Sequence, residues 1–219
     1  MIVWALGCAG GGKGDAADTA IPLTNDSGSA DSADSSPPIE GRLGRTWRFD
    51  LRTATIPEPA KAGELLRSYL GSHLLVQVVG EGEGAMSLRL AWSEGDADAQ
   101  APGVPTADVA ASPDEGTFTS APTQLLFHAL DGMACESLVL TGTMSADYAE
   151  VDDASVAFRG DTAALMDILS EEEPTAFCDL LESFGGACET CDSTAETCAW
   201  FRFEGMTGVD IPLDLEVEG

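Results

Sequence analysis

Beyond residue 46 much of the chain alternates apolar and polar residues with period two, the pattern of strands with one face on a core and one in water. Trp47, Phe49 and Leu51 alternate with Thr46, Arg48, Asp50 and Arg52, and Met86, Leu88, Leu90 and Trp92 with Ser87, Arg89 and Ala91. Leu138 and Leu140 alternate with Val139 and Thr141, and Met144 continues the first face. Val156 with Phe158, and Phe201 with Phe203, give two further alternations. Residues 74–79 and 125–130 are apolar on both faces. Gly80, Gly82 and Gly84 predict a hairpin turn between two of these runs, and Asp131 with Gly132 another, because such turns need residues that accept positive φ. Ile211, Leu213, Leu215 and Val217 predict a last strand, which Pro212 places at an edge or at its own start.

The helical period is confined to short stretches. Leu65, Leu66, Tyr69 and Leu70 share a stripe introduced by Pro57 and Pro59 and ended by Gly71. Asp161 is placed to cap a helix carrying Leu165, Ile168 and Leu169. Glu171, Glu172, Glu173 and Pro174 suit the start of another, in which Phe177, Leu180, Leu181 and Phe184 fall at i, i+3, i+4 and i+7 before Gly185 and Gly186 stop it. Residues 93–116 show no long apolar period and read as a long surface loop with at most one short strand. The expected fold is a mainly β (β-rich α+β) domain over residues 41–219, an antiparallel sandwich or barrel-like sheet with a few short helices.

Residues 9–40 break this pattern. Gly, Ala, Asp, Ser and Thr dominate, too little apolar surface to offset the entropy of ordering, so the segment reads as a disordered acidic tether closed by Pro37 and Pro38. As a flexible coil it would reach roughly 30 Å. Gly7, Gly12 and Lys13 match the opening of a phosphate-binding loop, but Gly14 stands where Ser or Thr is needed and no strand precedes it. Over the whole 219 residues, 38 acidic side chains face 10 basic ones for a formal charge of −28, which repels a phosphate backbone and argues against nucleic acid as a partner. No run after Leu6 has the about 20 apolar residues of a spanning helix.

Residues 2–6 form an apolar run ending in Gly7 and Cys8. This stretch resembles the lipobox of bacterial lipoproteins, and the resemblance implies that Cys8 is lipidated and becomes the first residue. Ala5 stands where the pattern has leucine, with Leu6 one place later, and residues 1–8 hold only a stub of an apolar core and no basic segment, so the true signal is expected to begin upstream. The layout of lipobox, acidic tether and cysteine-rich end resembles exported lipoproteins of uncharacterised function. It implies an extracytoplasmic chain, at the outer membrane or cell surface, whose membrane contact is the lipid anchor.

Cys178, Cys188, Cys191 and Cys198 lie close in sequence. In an oxidising compartment they read as two disulfides with three possible connectivities, of which Cys178 with Cys188 and Cys191 with Cys198 suits a double glycine that turns the chain back on its helix. Cys188 and Cys191 also match half a zinc site or a redox pair, although a redox pair belongs at a helix start after a strand. Cys135 reads as a small buried apolar group. His73 and His128 lie in apolar runs, and neither a Gly-x-Ser-x-Gly elbow nor a His-Glu-x-x-His pair occurs, so no catalytic residue is assigned and no cofactor is expected. Glu94, Asp96 and Asp98 have the opening spacing of a calcium loop, yet Ala99 and Pro105 replace its glycine and closing glutamate, leaving solvated acids as the reading. Asp147, Glu150, Asp152 and Asp153 crowd a second turn that either holds a cation or is merely solvated. Three functions remain open: a non-catalytic module binding a small ligand or an envelope component, a calcium-dependent adhesion or structural module, and a carboxylate-based hydrolase.

Overall fold

In the computed structural model, residues 41–58, 62–82, 84–128, 132–169, 175–192 and 196–217 are described. Cys8, the lipobox, the tether 9–40, Pro59, Asp131 and residues 171–174 lie outside them, as do the side chains of Leu65, Ile168 and Leu169. The strands are β1 (Thr46–Phe49), β2 (Thr55–Glu58), β3 (Leu74–Gly82), β4 (Ala85–Trp92), β5 (Ala107–Asp114) and β6 (Thr117–Ser120), followed by β7 (Thr123–Phe127), β8 (Met133–Met144), β9 (Glu150–Asp161), β10 (Cys188–Thr190) and β11 (Thr197–Ile211). Among the described residues three α-helices interrupt them, α1 (Ala62–Arg67), α2 (Ala164–Leu169) and α3 (Ala176–Ser183), besides a 3-10 turn at Leu51–Thr53.

Neighbouring strands run β1-β3-β4-β5-β6-β8-β9-β11, and β11 pairs back onto β1, closing an eight-stranded antiparallel barrel. Closure leaves the barrel wall without long free edges. β2 and β10 add to β11, and β7 adds to β8. The period-two residues point inward: Trp47, Phe49, Leu88, Leu90, Leu138, Leu140, Phe158 and Phe201 are all at most 1% exposed. Side chains with so little surface border no water-sized void, so these positions fill the barrel, as expected when eight strands enclose just enough space for side chains. An aromatic series crosses the interior from Trp92 to Phe127 (4.3 Å between centroids), Phe158 (5.5 Å) and Phe201 (5.3 Å), and ends on Phe177 of α3 (6.3 Å). Outward positions carry Arg48, Arg89, Asp108, Glu189, Arg202 and Glu204, the reverse of a lipid-facing barrel.

Several local expectations change. The loop expected over residues 93–116 contains the eight-residue β5, hidden because its inward side chains include only Val109 and Ala111 as buried apolar groups. Pro113 sits past Ala111, the last residue paired with β4, where a missing N–H removes no bond on that side. Residues 212–217 form no strand. Pro212 cannot continue the ladder, and the tail crosses the outside of β3 and β4, where Leu215 joins Leu75, Ala91 and Ile211 in a second apolar cluster. Side chains replace the ladder: Gln77 Oε1 accepts the Leu215 N–H (3.1 Å), and Arg89 donates to the Leu215 carbonyl (3.1 Å). This tail is why residues 74–79 are apolar on both faces. Pro57 belongs to the outer strand β2 rather than to a helix start, and the crowded acidic turn spans only residues 145–149, since Glu150, Asp152 and Asp153 already lie in β9.

Candidate functional site

The C-terminal cysteines converge on one corner. Cys178 of α3 bonds Cys188 of β10 (Cα–Cα 5.7 Å), and Cys191 bonds Cys198 of β11 (Cα–Cα 5.0 Å). Between α3 and β10 the chain reverses at Gly185, φ +82°, whose N–H reaches the Glu182 carbonyl while that of Gly186 reaches Leu181 (3.0 Å each). These two bonds form a Schellman cap, which satisfies the last helical carbonyls and needs a left-handed residue at the first position. A Cβ on Gly186 would lie 2.6 Å from Leu181, so the second glycine is required by close approach. The turn sets β10 beside β11, pairing Cys188 with Ala199 and Thr190 with Thr197.

An open pocket of about 290 Å³ results, lined among others by Pro57, Glu58, Leu181, Phe184, Glu189 and Trp200. Trp200 points outward because its neighbour Phe201 points in, and it is 45% exposed; Phe184 is 39% exposed. Two large aromatic surfaces in a concavity are what ligand sites present, since they supply area at little entropic cost. Glu58 and Glu189 stand at its rim, each 3.9 Å from an arginine, Arg202 and Arg159 respectively. The Arg159 guanidinium is committed elsewhere, to Asp192 (2.7 Å) and the Thr190 carbonyl, and hydrogen bonding to Asp192 raises its pKa further.

A second cavity, about 210 Å³, opens in the barrel wall. After Ala121 donates to the Ala110 carbonyl (2.7 Å), Pro122 offers no N–H, and β7 turns away from β5 to pair with β8 alone. Leu125, Leu126, Cys135 and Glu136 line the gap. Cys135 is buried, and burial pushes its thiol well above the usual range, which makes it a poor nucleophile. Glu136 is buried beside the second disulfide and accepts the Asp192 N–H (2.7 Å). Among the described residues its carboxylate and the sulfurs of Cys191 and Cys198 lie within 4.8 Å of one another, but sulfurs joined in a disulfide are not thiolate ligands. Paired in this way, the four sulfurs are not available as the thiolates that a zinc site needs.

At another place on the wall, residues far apart in sequence form a polar knot. His73 is buried, with Nδ1 3.8 Å from Asp50 and Nε2 3.6 Å from Asp96. Arg52 binds both carboxylates, at 2.9 Å to Asp50 and 2.8 Å to Asp96, and Arg48 pairs with Asp98. Asp96 and Asp98 are thus exposed but not free, since each is paired with an arginine. Burial lowers the His73 pKa against the opposing charge of Asp50. The nearby Ser93 hydroxyl accepts the His73 backbone N–H and donates to the Gly95 carbonyl, so its proton is not directed at the imidazole. The buried ring, the arginine-paired carboxylates and the occupied hydroxyl together fasten the 94–98 loop to the wall. His128 is exposed at the end of β7.

No family model matches this chain, and no curated protein or solved structure is similar enough to match it.

Proposed function

We propose that the chain is a non-catalytic module of the cell envelope, held outside the cytoplasm by a lipid on Cys8 and the acidic tether, and that it engages a small ligand or an envelope component at its disulfide-held corner. The observation that carries this reading is the corner itself. Two disulfides within one short segment hold an open, aromatic-lined pocket on a barrel whose interior is filled. Such bridges persist in oxidising compartments and are rare in reducing ones, which supports export independently of the N-terminus. A packed interior directs recognition to the surface, and Asp96 and Asp98, two of the three acids with calcium-loop spacing, are bound to arginines.

Metabolic labelling of the source cells with an alkyne fatty acid tests the anchor. Label on the wild type, lost in Cys8→Ser together with release from the membrane fraction, is the expected result. A Cys8 thiol recovered free, with Met1 retained, overturns the anchor. The intact mass of the exported protein should rise by four hydrogens on reduction, as two disulfides require, and no rise would remove the argument for an oxidising compartment.

A further inference from the structure

The pocket between α3, β2 and β11 has a chemistry that selects one class of ligand. Its aromatic surfaces, the Trp200 indole and the Phe184 ring, lie among Pro57 and Leu181, and its charged side chains among the described residues are Glu58 and Glu189. Neither arginine near these carboxylates lines the pocket, and both carboxylates remain largely in water, with side-chain exposures of 55% and 66%. Arg202 is divided between Glu58 at 3.9 Å and Glu204 at 3.6 Å, while Arg159 holds Asp192 more closely than Glu189. The rim therefore keeps negative potential in a chain whose formal charge is already −28. Aromatic faces carry negative charge density above the ring and attract a weakly hydrated cation, most strongly at tryptophan. An anionic ligand would meet two carboxylates. A neutral apolar ligand would use the rings but leave the acids idle.

We propose that this pocket binds a small organic cation of the alkylammonium class, its charge over the Trp200 indole and between Glu58 and Glu189. The inference rests on reading the corner as a ligand site and does not depend on the lipid anchor. The size agrees, since a cavity of about 290 Å³ suits a small molecule or a single side chain. Among the described residues Trp200 is the tryptophan that can sense a ligand, because Trp47 and Trp92 are 0% and 1% exposed and sealed in the core, and loss of the fluorescence response in Trp200→Leu separates it from Trp4.

The test titrates the full chain with choline and with 3,3-dimethylbutanol, which replaces the quaternary nitrogen by carbon and keeps the shape, following heat and tryptophan fluorescence. Saturable choline binding about tenfold tighter than the isostere is expected, falling with added salt. Trp200→Leu, which keeps an apolar side chain, and the double variant Glu58→Gln with Glu189→Gln should each weaken choline about tenfold. The two glutamates are solvent-exposed, so the double variant keeps the fold and retains the test if Trp200→Leu unfolds. Equal binding of choline and isostere removes the cation but leaves a ligand site. Saturable binding of neither at millimolar concentration, or choline binding indifferent to all three substitutions, overturns the site as well. A parallel titration with acetyl-lysinamide separates the sources of the ammonium: tighter binding than choline assigns a lysine side chain, weaker binding a free quaternary cation.

Discussion

Removing the bridges one at a time measures how the corner is held, and the structure ranks the two outcomes. The cysteines of the first bridge are 10 residues apart and those of the second 7. Opening such loops in the unfolded chain costs the native state about 2.8 and 2.5 kcal/mol respectively in the chain-entropy model. That difference of about 0.3 kcal/mol is too small to decide the order. Burial decides it: Cys191 and Cys198 are 6% and 1% exposed, whereas Cys178 and Cys188 are half-buried. Replacing the inner pair by alanine leaves a void that costs further in proportion to its volume. The double variant Cys191→Ala with Cys198→Ala should therefore lose at least as much as Cys178→Ala with Cys188→Ala. For a chain of this size, about 2.5 kcal/mol lowers the melting midpoint by roughly 5–10 °C. Thermal melts followed by far-ultraviolet circular dichroism read both variants, and the sheet signal at low temperature should stay intact, because the barrel core forms around other residues. Unchanged midpoints in both variants, or a clearly larger loss from the outer pair, would refute the reasoning.

Three further outcomes follow from positions elsewhere. Gly208→Ala places a Cβ 2.4 Å from the Phe49 ring and should cost about 1–3 kcal/mol in urea unfolding, while Gly71→Ala, with nothing within 4 Å, serves as the neutral control. Because burial depresses the His73 pKa in the folded state, the unfolded chain binds the proton more readily, so this contribution is complete above the ordinary value of 6.5 and is lost as the pH falls through the depressed folded pKa. Urea midpoints measured from pH 7 to about 5 should decline, and His73→Gln should flatten the decline; an equal slope in the variant contradicts it. The Cys135 thiol, buried and raised in pKa by that burial, should resist iodoacetamide in the native protein and react in urea, as read by intact mass.

Legibility followed the range of the interaction concerned. Strands with bulky inward residues, such as Trp47 with Phe49 and Phe201 with Phe203, announce themselves through alternation, since each residue reports its own burial. β5 does not, because alanine carries almost no hydropathy contrast, and the tail 212–217 imitates a strand because its alternate leucines are buried against β3 without a ladder. The sequence left a sandwich and a barrel-like sheet open, and the closure that decides between them was not legible. It depends on β11 pairing with β1, residues more than a hundred positions apart, and a sandwich would show the same local pattern. The site divides in the same way. The double glycine and the clustered cysteines are local signals, and an outward Trp200 follows from an inward Phe201, but the meeting of Trp200 with Pro57 and Glu58 exists only through the pairing of β2 with β11.

The corner also explains why a filled barrel would be extended by a helix and a short strand beyond its eight closing strands. Phe177 stacks on Phe201 and fixes α3 to the barrel end, while the first disulfide ties the same helix to β10. α3 is therefore anchored through adjacent residues, once through the core and once covalently. Phe184, the residue that caps its C-terminus, lines the same pocket as Trp200, and the Schellman cap fixes the backbone there. Holding an exposed aromatic residue in place beforehand lowers the entropy lost when a ligand settles on it. On this logic the disulfides serve recognition as well as stability, and reduction should weaken choline binding by more than any change in the barrel accounts for. Binding that survives reduction of both bridges undiminished would show that the pocket is shaped by the barrel alone.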